Sequence, residues 1–190
     1  MNSIRFLAMF LVLAAASLAV TKPERGLDHN TAFYKGESLN YVIFPPDQYQ
    51  MVDWEATGDG YSFAFIPPDQ KYDNADLMIG VNIFKIRGLK FRDVVARDTA
   101  AVREHYGKRV TIWSVDSVYA ASGQPISAFY INDTSQFIPN VMIAYVDGRT
   151  EMLVLELVIT DRVARIKAED AFVQCLQRLK VMPVGELGQR

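Results

Sequence analysis

The sequence predicts an α+β protein, a three-layer α/β/α sandwich in which a central, mainly antiparallel sheet lies between two helices. Two segments, residues 91–106 and about 163–181, carry apolar residues at the spacing of amphipathic helices. Other apolar segments are joined by short glycine-containing turns, as in antiparallel hairpins. Two of them, 141–146 and 151–159, are apolar at almost every position. Because strands without a polar face are covered on both sides, we expect one helix on each face of the sheet.

The first hairpin is predicted over residues 51–57 and 61–66, which flank the turn sequence Asp59-Gly60. A two-residue turn at this point places Trp54 opposite Phe65 and gathers the aromatic side chains on one face. A shift by one residue would move all of them to the other face. The pattern therefore predicts one defined register.

The later elements follow from similar patterns. A strand is predicted over residues 77–86, and the first helix, 91–106, ends before Gly107, a common helix terminator. Two further hairpins are predicted from these pairs of segments: 110–118 with 126–131, and 141–146 with 151–159. In the closing helix four residues are spaced so that they lie on one face, which we expect to point inward: Ala168, Phe172, Cys175 and Leu179.

Residues 1–19 have the three parts of a secretory signal peptide. Arg5 gives a positive start, residues 6–16 are continuously apolar, and Ser17-Leu18-Ala19 offers small residues to a signal peptidase. The apolar stretch is shorter than the roughly 20 residues of a spanning helix, and a retained anchor is the alternative. We expect cleavage after Ala19, a periplasmic or secreted product without a transmembrane span, and three further regions: a flexible leader (20–40), one globular domain (41–183) and a tail (184–190).

Composition narrows the functional classes. The chain has 20 basic and 22 acidic residues, and a slightly acidic balance argues against a general nucleic-acid binder, which neutralises phosphates. Half of the residues are apolar, which is typical of a folded domain rather than a disordered chain. Cys175 is the sole cysteine, so an intramolecular disulfide is excluded. Its helical spacing predicts a buried apolar role rather than a reactive thiol.

The order of the predicted elements resembles the PsbP-like superfold. Four short segments resemble small exported bacterial proteins of unknown function: Phe44-Pro45-Pro46, Gly58-Asp59-Gly60-Tyr61, Phe65-Ile66-Pro67-Pro68 and 75–84. The resemblance covers about residues 41–183. It implies an antiparallel sheet between helices and a role in binding, and it assigns no functional residue.

Glu156 is the strongest single candidate for a functional residue. It interrupts an otherwise apolar strand that we expect to be covered on both faces. A buried carboxylate is costly unless it is paired, and an unpaired one keeps its proton to higher pH. Glu156 could therefore transfer a proton or contact a ligand. The alternative is a structural carboxylate paired with an arginine or lysine from a helix.

Two further groups are candidates for binding. Basic residues surround the start of the first helix, where they could hold an anion or form a solvated face: Lys85, Arg87, Lys90 and Arg92. Aromatic residues on the strands could line a groove or belong to the core: Trp113, Tyr119 and Tyr130. The chain has two histidines and no metal-ligand spacing, so neither a cofactor nor a metal is expected.

These observations predict an exported bacterial binding or interaction domain whose partner is an envelope protein or a small ligand. A non-enzymatic role is favoured because no catalytic motif is recognisable. The alternatives are a carboxylate-based enzyme that uses Glu156 and a protein that binds the envelope surface through the basic residues. Nucleic acid is not expected as a partner.

Overall fold

The computed structural model describes residues 24–25, 31–53, 61–86, 88–133, 141–159 and 165–185. The predicted signal peptide and the end of the predicted tail lie outside these ranges. The first six strands are β1 (Glu24–Arg25), β2 (Ala32–Lys35), β3 (Leu39–Ile43), β4 (Gln50–Asp53), β5 (Phe63–Ile66) and β6 (Leu77–Lys85). The remaining elements are α1 (Phe91–Tyr106), β7 (Val110–Tyr119), β8 (Pro125–Asp133), β9 (Val141–Asp147), β10 (Glu151–Ile159), α2 (Arg165–Arg178) and β11 (Lys180–Pro183).

The described strands form two antiparallel sheets. The large sheet has the order β4-β5-β6-β10-β9-β8-β7, and the small sheet has the order β1-β2-β3-β11. Strands β6, β10 and β9 form the centre of the large sheet, and Glu156 on β10 lies between Gly80 on β6 and Ile143 on β9. The residue singled out in the sequence is thus at the middle of the fold.

Helix α1 covers one face of the large sheet, and α2 together with the small sheet covers the other. Alternate residues of β10 show this division. Leu153 and Leu155 pack in a core with Phe172 of α2, whereas Val154 packs in a separate core with Val102 of α1. We call these the α2 face and the α1 face. The predicted sandwich is confirmed, and the small sheet is an unpredicted part of the α2 layer.

The helices agree closely with the prediction. Helix α1 has the predicted bounds, and it ends at Gly107, whose φ of 61° suits glycine and whose N–H donates to the Arg103 carbonyl. Helix α2 ends at Arg178, before the predicted end, because β11 follows it and pairs with β3. Its four predicted inward-facing residues are all buried. Among the described residues, no helix combines the length and apolar character needed to cross a bilayer.

The predicted register of the first hairpin is wrong. Met51, not Trp54, lies opposite Phe65, and the predicted turn falls outside the described residues. The side-chain amide of Gln50 donates to the carbonyls of Pro67, Pro68 and Gln70 at 3.3, 3.3 and 3.1 Å, which ties β4 to the chain beyond β5. Since both faces of the sheet are covered, alternation of apolar residues does not define the register here.

The prediction of a flexible leader is wrong for its second half. Strand β2 pairs with β3, and Ala32 and Tyr34 of β2 are buried against the α2 face. A four-residue strand is too short to show a period-two pattern, so no sequence pattern indicated it. Order therefore begins before Tyr41.

Candidate functional site

Glu156 lies on the α1 face and is 1% exposed. Its Oε2 accepts a hydrogen bond of 2.7 Å from the Tyr61 hydroxyl. Its Oε1 is buried and has no hydrogen-bond partner among the described residues. The partner is thus a tyrosine, where the sequence suggested an arginine or lysine, and within the described part of the chain no basic side chain is bonded to this carboxyl.

Gly80 makes this contact possible. It lies opposite Glu156 in the register of β6 and β10. A Cβ atom at Gly80 would be 2.2 Å from the nearest carbon of the Tyr61 ring, much closer than atoms can approach. The missing side chain therefore leaves the space through which Tyr61 reaches the carboxyl group.

A second carboxyl group on the same face comes from α1. Asp98 is 4% exposed, and its Oδ2 accepts a hydrogen bond from the Tyr145 hydroxyl on β9. Its Oδ1 is buried without a hydrogen-bond partner among the described residues. The sequence contained a signal for this residue, because Asp98 follows Val95 by three positions and precedes Val102 by four, on the buried stripe of the helix.

These four side chains form what we call the acid–tyrosine cluster: Tyr61, Asp98, Tyr145 and Glu156. Burial raises the pKa of Asp98 to about 7, although the hydrogen bond from Tyr145 acts in the opposite direction. Burial raises the pKa of Glu156 to about 8; the hydrogen bond from Tyr61 opposes this increase and the nearby Asp98 adds to it. The pKa of Tyr145 is also raised, first by burial and then by Asp98. Both carboxyl groups therefore keep their protons to near-neutral pH.

The cluster can hold or release protons, but it is closed to a substrate. Each of its four residues is at most 4% exposed. Acidic residues with strongly shifted pKa values often mark active sites, yet a catalytic acid must also reach a reacting atom. Asp98 lies between α1 and the sheet, and Glu156 lies on the same face of the sheet with the Tyr61 side chain against it. The proton-transfer role suggested for Glu156 thus lacks an approach path in this arrangement.

An open cleft lies at the end of the large sheet where β8 and β10 begin. There the turns that precede these two strands meet the small sheet. Its volume is about 620 Å³. The apolar side chains of its wall are Leu39, Phe91, Pro125, Val181 and Pro183, and the polar ones are Ser122, Gln124, Ser127, Asp147 and Arg149. Phe91 is the first residue of α1, so the cleft also touches the start of that helix.

Hydrogen bonds hold the turns of the cleft in place. The Gln124 side chain donates to the Asp147 carbonyl at 2.5 Å, and the Arg149 N–H donates to the Asp147 carboxylate at 2.8 Å. The Val181 N–H donates to the Ser122 hydroxyl at 3.2 Å. Arg149 has a φ of 71°, in the left-handed region that favours glycine. A side chain at a position that favours glycine suggests a functional role, and the Arg149 side chain lines the cleft.

The aromatic candidates lie elsewhere. Trp113 on the edge strand β7 is 49% exposed and stacks on the mostly buried Tyr130 of β8, with ring centroids 5.6 Å apart. Tyr119 is exposed near the other end of β7. The structure thus brings Trp113 and Tyr130 together, but neither lines the cleft.

The basic candidates are divided. Lys85 forms an ion pair with Glu37 at 2.5 Å, which ties the end of β6 to the turn between β2 and β3. Lys90 and Arg92 are exposed on either side of Phe91. Arg87 lies outside the described residues. The four residues therefore do not form one cluster of free cations.

Cys175 is fully buried on the α2 face, as predicted. Its thiol donates to the Phe44 carbonyl at 3.2 Å, and burial raises its pKa to about 12. A thiol without appreciable thiolate is a poor nucleophile and a poor metal ligand. In the described ranges, no three His, Cys, Asp or Glu side chains are grouped so that they could hold a metal ion.

The chain has an α+β fold, and its structure is similar to solved PsbP-like structures, as the resemblance in the sequence predicted. The structure is similar to LpqN of Mycobacterium tuberculosis, described as involved in cell envelope biogenesis, with a TM-score of 0.51 and 12% identity over 93% of this chain and 97% of that one. It is also similar to PsbP (CyanoP) of Synechocystis sp. PCC 6803, with a TM-score of 0.48 and 12% identity over 80% of this chain and 92% of that one. The sequence matches no protein-family profile and no curated protein. At this identity the likeness to LpqN shows the fold alone.

Proposed function

We propose that this chain is an exported, non-catalytic protein of the bacterial cell envelope that binds a small amphiphilic ligand in the cleft. The observation that carries the proposal is the separation of the acid–tyrosine cluster from the open cleft. The groups with perturbed pKa values, Asp98 and Glu156, are closed to solvent, whereas the open cleft is lined by groups suited to recognition.

The envelope location is supported by two independent observations. Residues 1–19 have the features of a signal peptide. The similar fold of LpqN, a protein described as involved in cell envelope biogenesis, is compatible with such a location. Because a fold does not define a function, the sequence signal carries more weight.

The chemistry of the cleft favours an amphiphile with an anionic group. Phe91, Pro125 and Pro183 offer apolar surface, and Arg149 offers a guanidinium group, which pairs well with carboxylates, sulfonates and phosphates. Lys90 and Arg92 are exposed next to Phe91 and add positive charge to that end of α1. Asp147 is the acidic residue of the wall, and its carboxylate accepts the Arg149 N–H.

The two alternatives have less support. An enzyme that uses Glu156 would need access to a carboxyl group that is 1% exposed. Binding to the envelope surface through the basic residues would need a cluster of free cations, but Lys85 is paired with Glu37, and of the described candidates Lys90 and Arg92 remain exposed. Each alternative therefore has less geometric support than the cleft.

Binding can be tested with 8-anilinonaphthalene-1-sulfonate, a probe with apolar rings and one anionic group. We expect saturable binding that Phe91→Ala and Arg149→Gly each weaken, by about tenfold for loss of the charged contact. Arg149→Gly is suitable because glycine adopts the same φ without strain. Trp113→Ala, outside the cleft, is the matched control and should leave the affinity unchanged. Absence of saturable binding, or equal affinity in all variants, would count against the cleft.

Export can be tested by fractionation of a bacterial host that expresses the whole chain. We expect the protein in the periplasmic or secreted fraction, with an N-terminal sequence that starts at Val20. Val12→Asp places a charge in the apolar run and should keep the protein in the cytoplasm. An uncleaved chain that remains with the membrane would support the anchor alternative.

A further inference from the structure

The two carboxyl groups of the acid–tyrosine cluster belong to different layers of the fold. Asp98 lies on α1 and Glu156 lies on β10. Tyr145 on β9 is bonded to Asp98, and it is close enough to Glu156 for the charge of that carboxyl group to raise the pKa of Tyr145. If α1 moves away from the sheet, Asp98 leaves its tyrosine and both carboxyl groups become hydrated. The docking of α1 and the protonation of these groups are therefore physically connected.

No described group on this face compensates for two negative charges. The titratable groups that face the carboxyls are Tyr61 before β5 and Tyr145 on β9. The polar groups beside them are neutral: Asn82 on β6, which accepts the Ser62 N–H at 2.8 Å, and Thr99 on α1, which donates to the Val95 carbonyl at 3.0 Å. The neighbouring strands add apolar side chains to this core: Ile112, Phe129 and Ile131. Charges in such surroundings are costly unless a cation or several donors stabilise them.

We propose that α1 is a proton-controlled element, which docks on the large sheet when Asp98 and Glu156 are neutral and is released when both carboxyl groups ionise. This inference does not depend on what the cleft binds. It concerns the interface between α1 and the sheet, and it holds for the chain by itself.

The direction of the pH dependence follows from the two pKa values. The pKa of Asp98 is about 7 in the docked state against an ordinary value of 3.8, and that of Glu156 is about 8 against 4.5. The docked state therefore binds protons more tightly than the released state. Docking is strongest below about pH 4, weakens as the pH rises, and reaches its minimum above about pH 8.

Hydrogen exchange of the purified protein tests this proposal. The quantity to measure is the ratio of the exchange rates in α1 to those in α2 across a pH series. Intrinsic exchange rates change equally with pH in both helices, so they cancel in this ratio. We expect the α1 protection to fall relative to α2 as the pH rises from about 5 to about 8, with a limiting slope of about tenfold per pH unit for each carboxyl group. A ratio that stays constant in the wild-type protein would overturn the proposal.

The matched variants are Asp98→Asn and Glu156→Gln, which keep the shape of the side chains and remove their charge. Each variant should reduce the pH dependence of the ratio, and the double variant should abolish it. Persistence of the wild-type pH dependence in the double variant would show that other groups control α1.

A measurement on the wild-type protein keeps the proposal testable if the variants fail to fold. The carboxyl ¹³C resonances of Asp98 and Glu156 should titrate well above the ordinary range of these residue types. Titration of both groups below about pH 5 would overturn the proposal, because neutral carboxyls would then play no part near physiological pH.

Discussion

The two faces of the large sheet are built differently although they share the same strands. The α2 face is an apolar core with fully buried aromatic and aliphatic side chains such as Phe63, Phe65 and Phe172. The α1 face contains a smaller apolar core, and beside it lie two buried carboxyl groups, Asp98 and Glu156, each bonded to a tyrosine. The α2 side also has a buried carboxyl group, Glu151 at the start of β10, whose Oε2 accepts the Glu37 N–H at 3.1 Å. The α2 face therefore gains more from apolar burial, whereas the α1 face has two neighbouring carboxyl groups whose burial carries the larger penalty.

The two helices are also attached differently. Helix α2 is tied to the loop after β3: Arg178 contacts the Asp47 carboxylate at 2.8 Å, and Gln174 donates to the same carboxylate at 3.0 Å. Helix α1 is bonded to the sheet through Asp98 and Tyr145. Side-chain contacts to the loop after β3 thus add to the apolar packing of α2, whereas the hydrogen bond that attaches α1 to the sheet involves a carboxyl group whose charge depends on pH.

The largest effect should come from the α2 face. Phe172→Ala removes a fully buried ring from the main core and should lower the free energy of unfolding by about 3–5 kcal/mol. Val102→Ala on the α1 face removes two methyl groups and should cost about 2 kcal/mol. Chemical denaturation of both variants provides the comparison. An equal loss in both would mean that the Phe172 ring contributes less to the core than its full burial indicates.

The next effect concerns the space above Gly80. Gly80→Ala places a Cβ atom against the Tyr61 ring and should displace the hydroxyl from Glu156, with a loss of about 2–3 kcal/mol. Gly80→Ala combined with Tyr61→Ala relieves the clash, so the two changes together should cost less than their sum. A double-mutant cycle measures this coupling, and simple additivity would mean that Tyr61 is not what Gly80 accommodates.

An effect that changes with pH is expected for Asp98→Asn. At about pH 9 the variant should be more stable than the wild type by up to about 4 kcal/mol, because it carries no buried charge. At about pH 3 the wild-type carboxyl is neutral in both the folded and the unfolded state, so the difference should nearly vanish. Urea denaturation at both pH values is the measurement. A variant that is less stable at the higher pH would refute the role assigned to this charge.

The smallest effect is expected at the surface. The Arg178 guanidinium holds the pKa of Asp47 below its usual value through a hydrogen bond, and Gln174 adds a second one. Asp47→Ala should lower the melting temperature only slightly, and added salt should remove most of the difference, because the pair is exposed. Thermal melts at low and high salt test this. A large loss that is insensitive to salt would indicate a structural role for the loop itself.

The sequence predicted those parts of the fold in which local pattern and burial agree. The bounds of α1 follow from the helical spacing of Val95 and Val102 and from Gly107. The covering of both faces follows from the apolar strand β10. The failures concern short strands: β2 carries too few residues to show a pattern, and the register of β4 is fixed by the Gln50 side chain, which no periodicity reveals.

The candidate site was predictable only in part. The burial of Glu156 follows from its apolar neighbours in the sequence, but its partner does not, because Tyr61 reaches it through a space that exists only when β6 and β10 pair. Asp98 was recognisable from its place on the apolar stripe of α1. The cleft joins turns and strands from five parts of the chain, and such a site has no local signal.

The buried Cys175 gives the molecule its own reporter of one side of the fold. Its thiol is covered by the packing of α2 and bonded to the Phe44 carbonyl, so a thiol-specific reagent can modify it only when that packing opens. The rate of labelling therefore measures how often the α2 layer separates. Because the chain has no other cysteine, this rate can be followed in every variant without an engineered label.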